Sequence, residues 1–339
     1  MSLTLEGIAK QAGVSRSTVS RVVNDDSSVR TEVRERVWKI IRETGYQPHA
    51  AARSLVTHRT RIIGVVIPEA VKKLFTDPFF PLLLYGVTET CNAHNYYLML
   101  SLFNGPADQA EMYRRIIGSG HVDGMIVASA HVHDPLFPML LRDGVPFVLA
   151  GRHPDARVSY VDVDNVGGAR MAVEHLIRLG HTRIATITGP RTMASGEDRL
   201  AGYRQSLQAH GLAIDERLIA EGDYTEGSGF RGAQRLLPAS PTAIFAASDV
   251  MAIGALKALH EAGLQVPEDV VLVGFDDVSI ASAIVPALTT VRQPISRMGS
   301  MAAEMLLSIL ANPDRGSIPP QKVILPTELV VRYSCGALQ

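Results

Sequence analysis

Hydroxyl and guanidinium side chains concentrate in the run SRSTVSR, close to the N-terminus. Arg16, Ser17 and Arg21 can donate hydrogen bonds to base edges or phosphates, and the small residues around them allow a close approach. Val19 and Val22 are spaced to form the opposite, apolar face of a helix. A short helix with such a polar, cationic outer face is typical of an element that enters the major groove of DNA.

Polar side chains of a second kind follow apolar, strand-like blocks later in the chain. Asp249 comes directly after AIFAAS, Asp276 follows VVLVGF, and Arg199 follows the loop GPRTMASGED. Carboxylates accept hydrogen bonds from vicinal hydroxyls, and a guanidinium offers a planar fork of donors. Phe79 and Tyr224 could add aromatic faces for a sugar or a nucleobase. Because ligands of parallel sheets bind beyond the carboxyl ends of strands, these residues predict a binding cleft.

Each of these residues also has a structural alternative. Arg199 and Asp276 could form an ion pair that only stabilises the fold. Phe79 or Phe80 could belong to an ordinary hydrophobic core. The residues alone therefore leave ligand binding and packing both open.

Other chemical motifs are weak. Gly227-Ser-Gly229-Phe-Arg-Gly232 has the G-x-G-x-x-G spacing of a dinucleotide site, but the acidic run EGDYTE precedes it where such a site needs a buried strand. We expect these glycines to begin a helix and expect no cofactor. The histidines show no metal-ligand spacing beyond His131-x-His133, and no nucleophile elbow or P-loop occurs. The sequence therefore predicts no metal site, no catalytic residue and no enzyme.

The groove-facing helix needs a small domain to hold it. The hydroxyl of Thr4 can cap a first helix, Gly13 allows a tight turn, and Ser15 can cap the helix that carries SRSTVSR. A third helix is predicted to begin with Thr31 as its cap and to stop at Gly45. The segment HAAARSL that follows is too short to hold a helix alone.

Charge separates this region from the rest of the chain. Residues 1–60 contain ten Lys and Arg against six Asp and Glu, about +4, whereas the whole chain has a net charge of −1. The other residues therefore carry about −5. Positive charge concentrated in one small module indicates a polyanionic partner.

The remaining chain alternates strand-like and helix-like blocks, which predicts parallel sheets with helices on both faces. At 339 residues the chain is too long for one such sheet, so two lobes are expected. No apolar run approaches the roughly 18 residues of a membrane span. Cys91 and Cys335 are expected to be free thiols in the cytoplasm. The strand candidates are Ile62–Ile67, Tyr97–Leu102, Gly124–Ala128, Phe147–Ala150, Ile184–Thr188, Ala243–Ala247 and Val270–Val273, with helices at Ala169–Leu179 and Ala252–Ala262.

The string LTLEGIAKQAGVSRSTVSRVVN resembles the DNA-binding head of the LacI/GalR family of bacterial transcription regulators. The resemblance continues through GYQPHAAARSL, IIGVVIP, VDGMIV, GVPFVLAGR, HLIRLGHTRIA, PTAIFAASDVMAIGAL and PALTTVRQP, so it covers nearly the whole chain. It implies an α/β protein with a three-helix helix-turn-helix head and a two-lobed domain like a periplasmic binding protein, built from two doubly wound parallel sheets.

The resemblance also implies domain boundaries. The head would span residues 1–47, a hinge helix and linker 48–58, and an effector-binding and dimerisation domain 59–339. The chain would cross between the lobes three times, near Tyr160–Val163, Leu288–Gln293 and Pro319–Val323. One lobe would then hold 59–161 and 292–320, and the other 162–291 and 321–335.

Site residues follow from the same resemblance. A leucine of the hinge helix, here Leu55, would wedge into the minor groove. At the family's effector sites, Val163 rather than Asp162 or Asp164 would face the ligand. The expected DNA contacts are Thr4, Ser15, Arg16, Ser17, Ser20, Arg21, Asn24, Ala52 and Leu55. The expected effector contacts are Phe79, Phe80, Arg152, Ser195, Arg199, Tyr224, Asp249, Asp276 and Gln293.

These inferences together predict a cytoplasmic, nucleoid-associated homodimer that represses transcription and has no membrane partner. Its two-fold symmetry predicts a palindromic operator. A small molecule, a sugar or sugar derivative, would switch its DNA affinity. The alternatives are a purine corepressor in the same fold and a solute-binding protein without a regulatory role. The sequence leaves the sign of the switch open.

Overall fold

The computed structural model forms two units, one of residues 1–61 with 121–123 and one of 62–120 with 124–339. The predicted contacts Asn24, Ala52 and Leu55 and the whole predicted hinge, residues 48–58, lie outside the described residues. The described residues are 4–23, 26, 28–46, 59–103, 106–118, 120–128, 131–312, 314 and 318–337.

The first unit contains three helices, α1 (Leu5–Ala12), α2 (Arg16–Val23) and α3 (Thr31–Thr44). Each turns an apolar stripe inward, because its apolar residues recur at helical spacing. The stripes meet in a core that buries Ile8, Ala9, Ala12, Val19, Val22, Val37 and Ile41. The predicted three-helix head is therefore confirmed.

The ends of these helices test the predicted caps. The hydroxyl of Thr4 accepts the Gly7 N–H at 3.2 Å, and that of Ser15 accepts the Thr18 N–H at 3.2 Å. Gly13 and Gly45 end α1 and α3 with φ of 63°, a value that a glycine adopts without strain. The predicted cap at Thr31 is wrong, because the cap position is Arg30 and no side chain bonds there.

The second unit holds two six-stranded sheets. The first has the order β11-β5-β4-β3-β1-β2, and all its pairs are parallel. The second has the order β12-β10-β9-β8-β6-β7, with β12 antiparallel at its edge. The strands are β1 (Ile62–Ala70), β2 (Tyr97–Phe103), β3 (Gly124–Ala128), β4 (Phe147–Ala150), β5 (Tyr160–Val163), β6 (Ile184–Thr188), β7 (Ile219–Glu221), β8 (Ala243–Ala246), β9 (Val271–Asp276), β10 (Thr289–Arg292), β11 (Lys322–Leu325) and β12 (Glu328–Val330).

The chain passes between the two sheets three times, after β5, after β10 and after β11. Strands β5 and β11 belong entirely to the first sheet. The expected lobe boundaries are therefore wrong at two places, because they assigned residues 162 and 163 and the segment that begins at 321 to the other lobe. The third crossing therefore follows Leu325 rather than lying at 319–323. The physical reason is backbone pairing, since Lys322 to Leu325 pair in register with Tyr160 to Val163.

Helices cover both sheets, and some approach closely through glycines. The segment that mimics a dinucleotide motif is inside a helix, where Gly229 faces the next helix: a Cβ there would lie 2.0 Å from the Met251 carbonyl oxygen. Its glycines therefore serve helix packing. None of the helices among the described residues is long and apolar enough to cross a membrane. The helices of this unit are α4 (Val71–Thr76), α5 (Phe79–Ala93), α6 (Pro106–Gly118), α7 (Leu136–Arg142), α8 (Asn165–Arg178), α9 (Ala194–Ala209), α10 (Glu226–Leu236), α11 (Asp249–Glu261), α12 (Ser279–Ala283) and α13 (Ile295–Ala311).

Candidate functional site

A cavity that is partly open to solvent lies within the second unit, where residues that follow strands of both sheets converge. Its wall combines aromatic and thioether side chains with carboxylates, amides and guanidiniums. The lining residues are Asp77, Phe79, Phe80, Leu149, Ala150, Gly151, Arg152, Asp162, Asn165, Met193, Ala194, Ser195, Arg199, Tyr224, Asp276, Gln293 and Met298.

Arg199, on the first turns of α9, is held rigidly in this wall although it is only 5% exposed. Its Nε donates to Asn165 Oδ1 at 2.9 Å, and its Nη1 donates to the Ala247 carbonyl and to Asp276 Oδ1. Its guanidinium carbon lies 3.6 Å from the centre of the Phe275 ring. Among the described residues, Nη2 has no hydrogen-bond partner, so its two donors remain for a ligand.

Asp276 ends β9 in a conformation that favours glycine, with φ of 117°. Its Oδ1 accepts from both Arg199 and Gln293. Burial raises its pKa to about 7, against the opposing charge of Arg199. A strained backbone and a shifted pKa at one cavity residue are typical of a functional site rather than of packing alone.

Tyr224 is the second strained residue of the wall, with φ of 65°. Its hydroxyl and that of Ser195 lie 2.9 Å apart, and burial raises its pKa. The ring packs against Gly189, where a Cβ would lie 2.2 Å from the ring, and it lies 5.9 Å from the Arg199 guanidinium. Neighbouring groups therefore fix the phenol.

Two aromatic rings and one arginine complete the predicted set. Phe79 and Phe80 begin α5 and meet edge to face, with ring centres 5.5 Å apart. Phe80 also packs in the core of the first sheet, so it both lines the cavity and belongs to the hydrophobic core. Arg152, which follows β4, forms a two-pronged ion pair with Asp198 of α9 and so joins the two sides of the cavity.

Asp249 is the one predicted effector residue that does not line the cavity. It is fully buried, its Oδ1 accepts the Thr290 hydroxyl, and its Oδ2 accepts the Val278 N–H at 2.9 Å. Its position after a strand suggested a ligand contact, but the loop after β9 covers it. Asp249 instead pins that loop. Burial and the nearby Asp276 raise its pKa well above the ordinary value of 3.8.

Asp249→Asn should therefore become more stable relative to the native chain as pH rises. A carboxyl whose folded pKa is raised loses stability as pH climbs through that pKa, because the unfolded chain ionises more easily. The asparagine can keep both bonds, accepting from Val278 and donating to Thr290. Thermal unfolding between about pH 4 and about pH 8 measures the difference. Asp143→Asn is the control: Arg142 lowers the pKa of that exposed carboxyl, so its pH dependence lies below about pH 4 and its difference from the native chain should stay nearly constant over this range. A constant difference between Asp249→Asn and the native chain would contradict the raised pKa.

Sequence reasoning missed several residues of the wall, among them Asn165, Met193 and Met298. It also chose the wrong member of the YVDV strand: Val163 lies in the core of the first sheet, whereas Asp162 faces the cavity. The alternation of side chains along a strand was the available signal, since a carboxylate between two buried valines must occupy the opposite face.

A second candidate site lies on the exposed face of α2 in the first unit. Arg16, Ser17 and Arg21 are exposed there, while Val19 and Val22 are buried beneath them. The Arg16 guanidinium lies 3.5 Å from the Glu6 carboxylate, and both side chains are mostly exposed. Such a pair contributes little to stability, so it can open when a phosphate or base edge approaches.

Comparison with known proteins covers both units. Residues 4–49 match the model for bacterial regulatory proteins of the lacI family, and residues 173–335 match a periplasmic binding protein-like domain. The HTH-type transcriptional regulator CelR of Thermobifida fusca is 42% identical over 336 residues, 98% of each chain. A solved CelR–cellobiose complex is 39% identical, covers 98% of this chain and 99% of that one, and superposes with a TM-score of 0.78. The Lac repressor dimer bound to operator and the anti-inducer ONPF is 28% identical over 99% of each chain, with a TM-score of 0.84.

Proposed function

Because the chain belongs to the lacI family of bacterial regulatory proteins, we propose that it binds operator DNA and represses transcription until a sugar enters its cavity. The head supplies the DNA contacts, and the cavity between the sheets supplies the switch. No catalytic role is assigned to any residue, and the regulator acts in the cytoplasm, at the nucleoid.

The observation that carries the sugar proposal is the donor and acceptor set of the cavity wall. Arg199 offers two free N–H groups, while Asp276 and Gln293 present an acceptor and an amide beside it. Vicinal hydroxyls both donate and accept, so they can satisfy all three groups at once. Phe79 supplies an apolar face for a sugar ring. The cellobiose bound to CelR agrees with this chemistry.

A purine is the less favoured effector. A nucleobase held between two aromatic rings would need a second face opposite Phe79, but the Tyr224 ring packs against Gly189 and lies near Arg199. A solute-binding protein without a regulatory role is disfavoured as well. Its fold would explain the two sheets but not the DNA-binding helices at residues 4–49.

Repression also requires two heads, and we propose that a second copy of this chain provides the other. The Lac repressor is a dimer on its operator. In the present chain, β2 is an edge strand of the first sheet, and Tyr97 on it is 75% exposed. An edge strand with exposed apolar side chains invites pairing with another chain. Two heads related by two-fold symmetry require a palindromic operator.

Selection of DNA from a random pool, followed by titration, tests this function. The full-length protein should enrich a palindrome, and saturating cellobiose should weaken binding to it by about five- to 150-fold, the usual range of allosteric coupling. A failure to enrich any sequence would contradict the DNA-binding proposal. Enrichment of a palindrome whose affinity responds to none of cellobiose, maltose, glucose and ribose would contradict the sugar effector alone.

A further inference from the structure

Asp162 is a buried carboxylate with one oxygen committed to the protein and one turned to the cavity. It is 4% exposed, at the third position of β5. Its Oδ1 accepts the Val163 N–H at 2.8 Å and the Asn165 side-chain amide at 3.1 Å. Across the residues that the structure describes, no donor reaches its Oδ2. This oxygen is not among the fully buried atoms that lack a hydrogen-bond partner, so it is accessible. Since Asp162 lines the cavity, that oxygen is an acceptor available to a ligand.

Both guanidiniums of the wall already form ion pairs with carboxylates other than Asp162. Arg199 pairs with Asp276 at 3.3 Å, and the fork of Arg152 is occupied by Asp198. In the described part of the chain, no ion pair reaches Asp162. Burial raises its pKa to about 6, because the two arginines offset the desolvation only in part.

Asp162 therefore differs from Asp276, whose charge the Arg199 guanidinium offsets. A ligand that brings its own negative charge would meet the Asp162 carboxylate, whose charge no ion pair offsets among the described residues. Like charges brought together in a desolvated site lower the affinity, here by roughly tenfold to a hundredfold.

We propose that Asp162 accepts a hydrogen bond from a hydroxyl of the effector and makes the site select neutral sugars over their phosphorylated forms. The inference rests on the proposed sugar-controlled function and adds a specificity-determining residue to it. A regulator with this selectivity senses a sugar before a kinase phosphorylates it. Its effector must therefore be supplied by uptake of the free sugar or by hydrolysis of a larger glycan.

Isothermal titration of the full-length protein tests the selectivity directly. The probes are cellobiose, maltose, glucose and ribose, each paired with a phosphate ester: cellobiose 6′-phosphate, maltose 6′-phosphate, glucose 6-phosphate and ribose 5-phosphate. The neutral sugar that binds should do so at least about tenfold more tightly than its ester. Equal or tighter binding of the ester would overturn the inference and leave the sugar effector standing. No binding by any neutral sugar would overturn the proposed sugar effector and this inference with it, while the proposed operator binding would remain.

Asp162→Asn separates charge from size. An asparagine can keep the bonds from Val163 and Asn165 while it removes the charge. We expect it to weaken binding of the neutral sugar about five- to tenfold. It should also reduce the ratio of the affinity for the neutral sugar to the affinity for its phosphate ester. An unchanged ratio would mean that the ester is excluded by its bulk, which would contradict the role of Asp162.

The matched control is Asp164→Asn, two residues along the same segment. The Asp164 carboxylate is exposed, lies outside the cavity and caps α8 by accepting the Gly167 N–H at 2.8 Å. Asparagine is an equally good cap. The control should leave both the sugar affinity and the ratio as in the native chain. A narrowed ratio in both variants would show a general effect of net charge and would contradict a specific role for Asp162.

Discussion

Arg199→Ala should abolish the response of the repressor to its sugar while the operator is still bound. The side chain presents two N–H donors to the cavity, and alanine removes both together with the ion pair to Asp276. Removing one partner of a buried ion pair costs about 3–5 kcal/mol when the other stays charged. Protonation relieves part of that cost here, because the pKa of Asp276 is already about 7. Sugar affinity should fall at least about a hundredfold, measured by titration and by operator release.

Arg199→Lys is the companion variant, because it keeps the positive charge but loses the planar guanidinium and its several N–H donors. A lysine can approach Asp276, but it cannot also bond Asn165, the Ala247 carbonyl and the ligand from one plane. We expect it to fold as well as the native chain and still respond poorly. Arg191→Ala is the matched control, since this arginine precedes the same helix, is half-exposed and does not line the cavity. A normal sugar response from both Arg199 variants would contradict the assignment of the cavity as the effector site.

Strand ends supplied part of the sequence signal for this cavity, and the family resemblance supplied the rest. Polar residues placed directly after buried apolar runs, as at Asp276 and Arg152, are brought together by any parallel sheet. The same rule misplaced Asp249, which follows a strand as well. Whether a loop folds back over such a residue depends on contacts with distant positions, here Val278 and Thr290. No local pattern reports those contacts.

Asp162 illustrates the opposite failure. The resemblance favoured its neighbour Val163, and the local rule of strand alternation would have chosen Asp162 had it been applied. The wrong cap prediction at Thr31 has a local origin. Threonine is a preferred capping residue, but here it is the first residue of the helix and Arg30 occupies the cap position. Residue preferences identify a helix end only to within a residue or two. The parallel direction of the strands, by contrast, was predicted from the alternation of blocks, except for the antiparallel edge strand β12.

Arg16→Ala should cost the protein its operator specificity more than its general affinity for DNA. Arg16 begins α2, is 67% exposed along its side chain, and shares only a weak surface pair with Glu6. An arginine that reads guanine through O6 and N7 contributes about 1–3 kcal/mol of discrimination, roughly five- to 150-fold per half-site. The core beneath, including Val19 and Val22, is untouched by the change. The variant should therefore fold normally.

The decisive comparison is between operator and random DNA over a range of salt concentrations. If Arg16 reads a base, the affinity for the operator falls steeply, the affinity for random DNA changes little, and the dependence on salt is nearly conserved. If it only contacts a phosphate, both affinities fall together and the salt slope drops by about one. Arg42→Ala, an exposed arginine in the last turn of α3, controls for the loss of one positive charge from the head. Base recognition is assigned to α2 only if Arg16→Ala loses affinity for the operator but not for random DNA, and Arg42→Ala does not show this loss.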